Sequence, residues 1–193
     1  MRVIGFLDGR LYPMARPSLG DEEVCYNGKE RVHGLKYLFL AAPDGMVSHV
    51  IGPVEGRHHD AWLTHFGDFE NVVHRLSPPN TSYSVLADVA FGNNSVVATS
   101  YRENEINNDP DKSAWNRIVY VIRVAVEWSF NKFLQLWNKF FVDTRNLRLH
   151  LMPLGRLTRV GVILLNAYVC LNGSQTSSYF SCLPPSLSEY FRR

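Results

Sequence analysis

Apolar and polar positions along the chain fall first into short runs and later into long helical stripes. Residues 2–8 are apolar and end in Asp8-Gly9, which predicts a buried strand with a carboxylate at its tip. Residues 12–30 gather prolines, glycines and charges and predict a loop. Residues 32–42 form a second apolar run, Pro43-Asp44-Gly45 marks a turn, and residues 46–52 return as a third strand. Together these three predict an antiparallel meander. Asp60 suits the N-cap of a helix beginning at Ala61. Ser77-Pro78-Pro79-Asn80 breaks the chain, and residues 83–88 predict a fourth strand that again ends in an acid. Residues 102–112 are polar and read as exposed. A long helix is then predicted from Ser113 to Trp137, where Trp115, Ile118, Val119, Ile122, Val126, Phe130, Phe133 and Trp137 recur at close to 3.6 residues. Residues 156–171 predict another helix, and Pro184-Pro185 closes the ordered region.

Three strands, a helix, a strand and further helices are the element order of an α/β domain with a ribonuclease H-like mixed sheet flanked by helices. A length of 193 residues, 46% hydrophobic and 20% charged, suits one globular domain over 1–193, with 172–193 as a C-terminal tail. Formal net charge is only +2, so a polyanion partner requires basic residues gathered on one face. Cys25, Cys170 and Cys182 make no C-x-x-C pair and no even framework, which predicts reduced thiols. The start reaches Asp8 too early for a signal h-region. The run from Val160 to Leu171, interrupted by Asn166, reads as a buried helix and not as a membrane span.

The position of the acids changes the picture. Asp8 and Asp88 end predicted strands, and Glu127 sits in the long helix between Val126 and Trp128. Each has an ordinary structural explanation alone: Asp8 as a turn former, Asp88 as a cap, Glu127 paired with Arg123 one turn earlier. If the first and fourth strands are neighbours, the two aspartates lie side by side and the helix can bring Glu127 alongside. Clustered carboxylates repel one another, and hard oxygen ligands favour Mg²⁺ or Mn²⁺. Two such ions about 4 Å apart are a known means of cleaving phosphodiesters.

Other groups carry less. His58-His59-Asp60, with His33 or His49, has poor spacing for zinc, and one histidine orienting Asp60 is the better reading. Arg16, Lys29, Lys36 and Arg57 are phosphate-contact candidates that read more simply as solvated, and the Phe130, Phe133, Trp137 stripe reads as core.

At these residues the chain resembles a known family. Leu7-Asp8-Gly9, Tyr26-Asn27-Gly28-Lys29, His33-Gly34-Leu35-Lys36-Tyr37, Pro43-Asp44-Gly45 and Gly52 to Ala61 follow one another as in the DDE endonuclease domain of PIF/Harbinger transposases and the nucleases derived from them. Leu86-Ala87-Asp88, Asn116, Arg123, Val126 to Phe130, Leu164 to Tyr168, Tyr179-Phe180 and Pro184-Pro185 continue the series. The resemblance implies a ribonuclease H-like fold and a catalytic triad of Asp8, Asp88 and Glu127. It adds Asp60 as a further metal ligand, two Mg²⁺ or Mn²⁺ ions as cofactors and DNA as substrate. It also implies a nuclear location, with the cytoplasm as the alternative, and a Myb-like partner protein. The family's N-terminal helix-turn-helix-like region has no counterpart in these residues, so a catalytic domain alone is expected. A catalytically silent relative acting as a DNA-bound or protein-interaction scaffold is the alternative. Val89-Ala90-Phe91-Gly92 and Asn131 depart from the family's pattern, where a tyrosine after the second aspartate and a glycine after the aromatic are usual.

Overall fold

The first strand, β1 (Val3–Pro13), runs well past Asp8, which therefore lies in mid-strand and not at a tip. The reason is pairing: β1 continues antiparallel along β3 (Val32–Ala41) from Phe6↔Ala41 to Pro13↔Gly34. The computed structural model describes residues 2–17, 20–141, 148 and 153–192, the side chains at 125, 126 and 138–141 excepted. Between β1 and β3, the expected loop contains a short helix, α1 (Glu22–Cys25), and a two-residue strand, β2 (Tyr26–Asn27), which pairs with the start of β3. Next come β4 (Val47–Glu55), α2 (Asp60–Phe66), α3 (Phe69–Leu76), β5 (Ser84–Ala87) and β6 (Val97–Thr99). The chain closes through α4 (Glu103–Ile106), α5 (Pro110–Phe141), α6 (Leu154–Asn172), α7 (Gln175–Phe180) and α8 (Leu187–Tyr190), the last beyond Pro184-Pro185.

The described strands form one mixed sheet. β1, β3 and β4 make the expected antiparallel meander. On its other edge β1 pairs in parallel with β5, and β5 in parallel with β6, a strand that the pattern of residues 89–101 does not announce. Period-two alternation sends side chains to two cores. Phe6, Tyr12, Tyr37, Phe39 and Leu86 face the layer of α5 and α6, where they meet Val119, Phe130, Phe133 and Leu165. Leu7, Leu38, Leu40, Val85 and Ala87 face α2 and α3, where they meet Leu63, Phe69 and Val73. The Phe39 ring stands edge-on to Phe130 at 5.1 Å and tilted against Phe133 at 5.8 Å. Each such ring contributes roughly 1.5–3 kcal/mol by leaving water.

The stripe of α5 is close to that predicted, with one shift: Val119 is buried while Ile118 is half exposed. Trp137 leaves helical geometry at φ −118°, so the helix kinks where the sequence predicts its end. Val126, expected in the stripe, lies outside the described side chains. α6 is long and apolar enough to cross a membrane by length and composition, yet its Leu154, Val162, Leu165 and Val169 pack into the core. All three cysteines are free thiols, at three different depths.

Two asparagines dock helices onto the sheet by mimicking a strand partner. Buried Asn166 on α6 accepts from the Val47 N–H and donates to the Val47 carbonyl, each at 2.9 Å. Asn116 on α5 does the same at Tyr101, at 2.8 and 2.9 Å. The second clamp, with the Trp115 indole N–H donating to the Thr99 carbonyl, ties the start of α5 to the end of β6.

Candidate active site

The ladder between β1 and β5 ends with Phe6 opposite Leu86; Asp8 follows two residues later within β1, and Asp88 follows just past the end of β5. Both follow the face of Phe6 and Leu86, the face that α5 covers. Each carboxylate is steadied by the next peptide. The Gly9 N–H donates to Asp8 Oδ1 at 2.9 Å, and the Val89 N–H donates to Asp88 Oδ1 at 2.6 Å. The second bond arises because the chain turns at once into a single 3-10 turn, Val89–Phe91, which Asp88 caps.

α5 delivers a cation to this pair. The Arg123 guanidinium lies 3.3 Å from Asp88 Oδ1 and also acts electrostatically on Asp8. Sequence reasoning pairs Arg123 with Glu127; its partner in the fold is Asp88, thirty-five residues away. The available signal was a cation inside an otherwise apolar helical stripe. Glu127 lies one turn further along α5 and is exposed.

Asp60 occupies the other face of the sheet. It is the first residue of α2 and makes no cap; His59 holds the N-cap position. Its Oδ1 accepts from Lys36 Nζ at 2.8 Å, and neither side chain is more than a quarter exposed. The carboxylate fits there because residue 9 is glycine: a Cβ on Gly9 would stand 2.7 Å from Asp60 Oδ1. Through that gap Asp60 adds negative potential at Asp8. Lys36, read from sequence as solvated, is thus the residue that holds Asp60, in place of the histidine expected there. His58 instead stacks on Trp62 at 3.7 Å and approaches Glu55 at 3.3 Å. Arg16 pairs with Glu22.

Electrostatics single out Asp8. Burial pushes its carboxyl up to about 6, and Asp60 adds to the rise; the Gly9 N–H, Arg123 and Arg10 pull the other way without winning. A carboxylate kept short of positive charge in this way suits a hard divalent cation, and the donors available are all oxygens. Among the described residues, however, no three His, Cys, Asp or Glu side chains are grouped so as to hold an ion. β1 carries Asp8 and the end of β5 leads into Asp88, with Arg123 acting on both; Asp60 acts on Asp8 from the other face, and Glu127 is exposed on α5.

The raised Asp8 value has a measurable consequence. The folded carboxyl keeps its proton to about pH 6, whereas the unfolded one loses it near 3.8. Its stabilising contribution is therefore full below about pH 4 and lost as pH rises through 6. Asp8→Asn should stabilise the metal-free protein at pH 7.5 by about 1–3 kcal/mol relative to wild type, with a much smaller gap at pH 4. Urea unfolding at the two pH values measures this; a gap that does not grow with pH would show that Asp8 is well solvated.

A mixed α/β sheet with a desolvated acid on its central strand and a second acid just past the end of the neighbouring parallel strand defines an α/β domain. The chain belongs to the DDE superfamily endonucleases, whose family model matches residues 7–166, most of its length. The match begins one residue before Asp8 and ends at the Asn166 clamp. No curated protein and no solved structure matches the chain.

Proposed function

We propose that this protein is a divalent-metal-dependent DNA endonuclease of transposase origin and of the PIF/Harbinger type, cutting phosphodiesters with Asp8, Asp88 and Glu127. The observation that carries this reading is the DDE endonuclease match over residues 7–166, with Asp8 on β1 and Asp88 just past the adjacent parallel strand β5, both acted on by Arg123. The strand order β4-β3-β1-β5-β6, antiparallel through the first three and parallel beyond, supports a ribonuclease H-like sheet.

In this reading Asp8 and Asp88 would hold Mg²⁺ or Mn²⁺, and Glu127, exposed on α5 one turn past Arg123, would have to move in to complete the ligand set. When bound, the ions neutralise the phosphate and activate the attacking water. The remaining work belongs to the chain's own residues. The Gly9 and Val89 N–H groups fix the two aspartates before substrate arrives, which avoids reorganisation during reaction. Arg123 carries the countercharge of Asp88 in the resting protein and would be free to meet a phosphate once a metal takes that carboxylate. Asp60, neutralised by Lys36, supports β1 at Gly9 and raises the negative potential at Asp8 from behind. A nuclear location and a Myb-like partner accompany this reading.

Nicking of supercoiled plasmid tests it directly. Purified protein should nick with Mg²⁺ or Mn²⁺ and not with EDTA. A protein that binds DNA but never nicks with either ion would instead be a silent, scaffold-like relative. Residues 1–193 should bind duplex DNA weakly and with little sequence preference, since net charge is only +2. Affinity should fall steeply with salt, because phosphate contacts act largely through counterion release. Titration of a labelled duplex at two salt concentrations with unrelated competitor checks this; tight binding that survives both would reveal a surface that reads bases.

A further inference from the structure

Away from Asp8 and Asp88, α5 borders a half-open cavity of about 520 Å³ shared with α6 and the start of α7. Among the described residues its wall contains Asn131, Lys132, Gln135, Tyr168 and Gln175, and no Asp or Glu. Lys132 is the one described Lys or Arg lining it, and its ammonium lies over the Tyr168 ring at 4.6 Å. An ammonium held against an aromatic face keeps its remaining N–H donors for a ligand. The amides supply both donors and acceptors, and Trp128 and Tyr168 supply apolar area. A wall with one positive charge, several neutral hydrogen-bonding groups and two aromatic rings matches a singly charged anion that carries neutral polar groups. It does not match a cation or a multiply charged ligand. Asn131 stands where the family pattern has glycine, so part of this wall is a departure of this chain. Lys132 follows Glu127 by five residues, about 7.5 Å along the helix axis and about 140° around it, so the cavity opens on a different side of α5 from Glu127.

We infer that this cavity is a strand-binding subsite that takes one phosphodiester and its nucleoside, with Lys132 on the phosphate and Asn131, Gln135 and Gln175 on the neutral groups. The identity of the ligand as nucleic acid rests on the nuclease reading; the pocket's preference for a phosphate ester rests on its own wall.

Fluorescence anisotropy of a labelled single-stranded 12-mer, in EDTA so that no cutting occurs, tests the inference. Lys132→Gln should weaken binding about five- to tenfold and lower the salt slope by about one contact's worth. Lys132→Arg should restore most of the affinity, and thermal unfolding of both variants should match wild type. Gln135→Trp, at an exposed position on the rim, should fill the cavity and weaken binding independently of charge. Equal affinity in wild type, Lys132→Gln and Gln135→Trp overturns the subsite. Direct binding of thymidine monophosphate, measured by calorimetry, with no measurable 12-mer binding would assign the cavity to a free nucleotide and overturn the strand claim. Because the measurement needs no metal and no cleavage, failure of plasmid nicking leaves it intact. Loss of this binding would equally leave the acidic centre untouched.

Discussion

Asp88→Asn is expected to lower metal-dependent cleavage by about three orders of magnitude, a loss of about 4 kcal/mol of transition-state stabilisation. The amide keeps the shape of the carboxylate, and its oxygen can still accept from the Val89 N–H. It loses the negative charge that a divalent ion requires and that the Arg123 guanidinium meets at 3.3 Å. The fold should survive, since Asp88 lies half exposed at the end of β5 and outside both cores. The check is single-turnover cleavage of a defined duplex in Mn²⁺, beside a circular dichroism spectrum of the same preparation. Cleavage within a few-fold of wild type, from a preparation cleared of contaminating nuclease, would remove Asp88 from the chemistry.

Asn166→Leu is expected to destabilise the protein by about 2–5 kcal/mol, shifting the melting midpoint down by roughly 5–15 °C. The side chain of Asn166 is 4% exposed and serves both the N–H and the carbonyl of Val47. Leucine is similar in size and more apolar, so a reading by hydrophobicity would favour it in a run such as Val160 to Leu171. It would instead leave two buried backbone groups of β4 without a partner, each at a cost of about 1–3 kcal/mol. Denaturant unfolding of the two proteins at one pH measures the difference. An Asn166→Leu variant as stable as wild type would mean that β4 or water satisfies Val47 some other way.

Legibility differed by kind of interaction. The apolar runs of β1, β3 and β4 and the stripe of α5 could be read directly, because side-chain period alone sets which face is buried. The outer elements were less visible. β6 has only three residues, Val97–Thr99, and exists because β5 offers it a parallel edge. β1 outlasts its apolar run because β3 pairs with it as far as Pro13, beyond the charged residues Asp8 and Arg10. At the site, Asp8 and Asp88 were legible as acids that close apolar runs, although Asp8 stands in mid-strand. The partners Arg123 and Lys36 were not, since each meets its carboxylate across a separation that local spacing does not encode.

The sequence by itself determined the α/β class, the meander, the long helix and the acids available for chemistry, and its ordered motifs pointed to the endonuclease family that the family model then matched. These are properties of periodicity, turn chemistry and residue type, which act over a few neighbours. Only the tertiary structure decided which charges meet. It paired β1 in parallel with β5, gave Asp88 to Arg123 and Asp60 to Lys36, and left Glu127 exposed. It also turned Asn166 from an interruption in an apolar run into a clamp on Val47. The physical reason is that electrostatic and hydrogen-bond partners are fixed by strand order and helix placement, and these follow from burial summed over the whole chain.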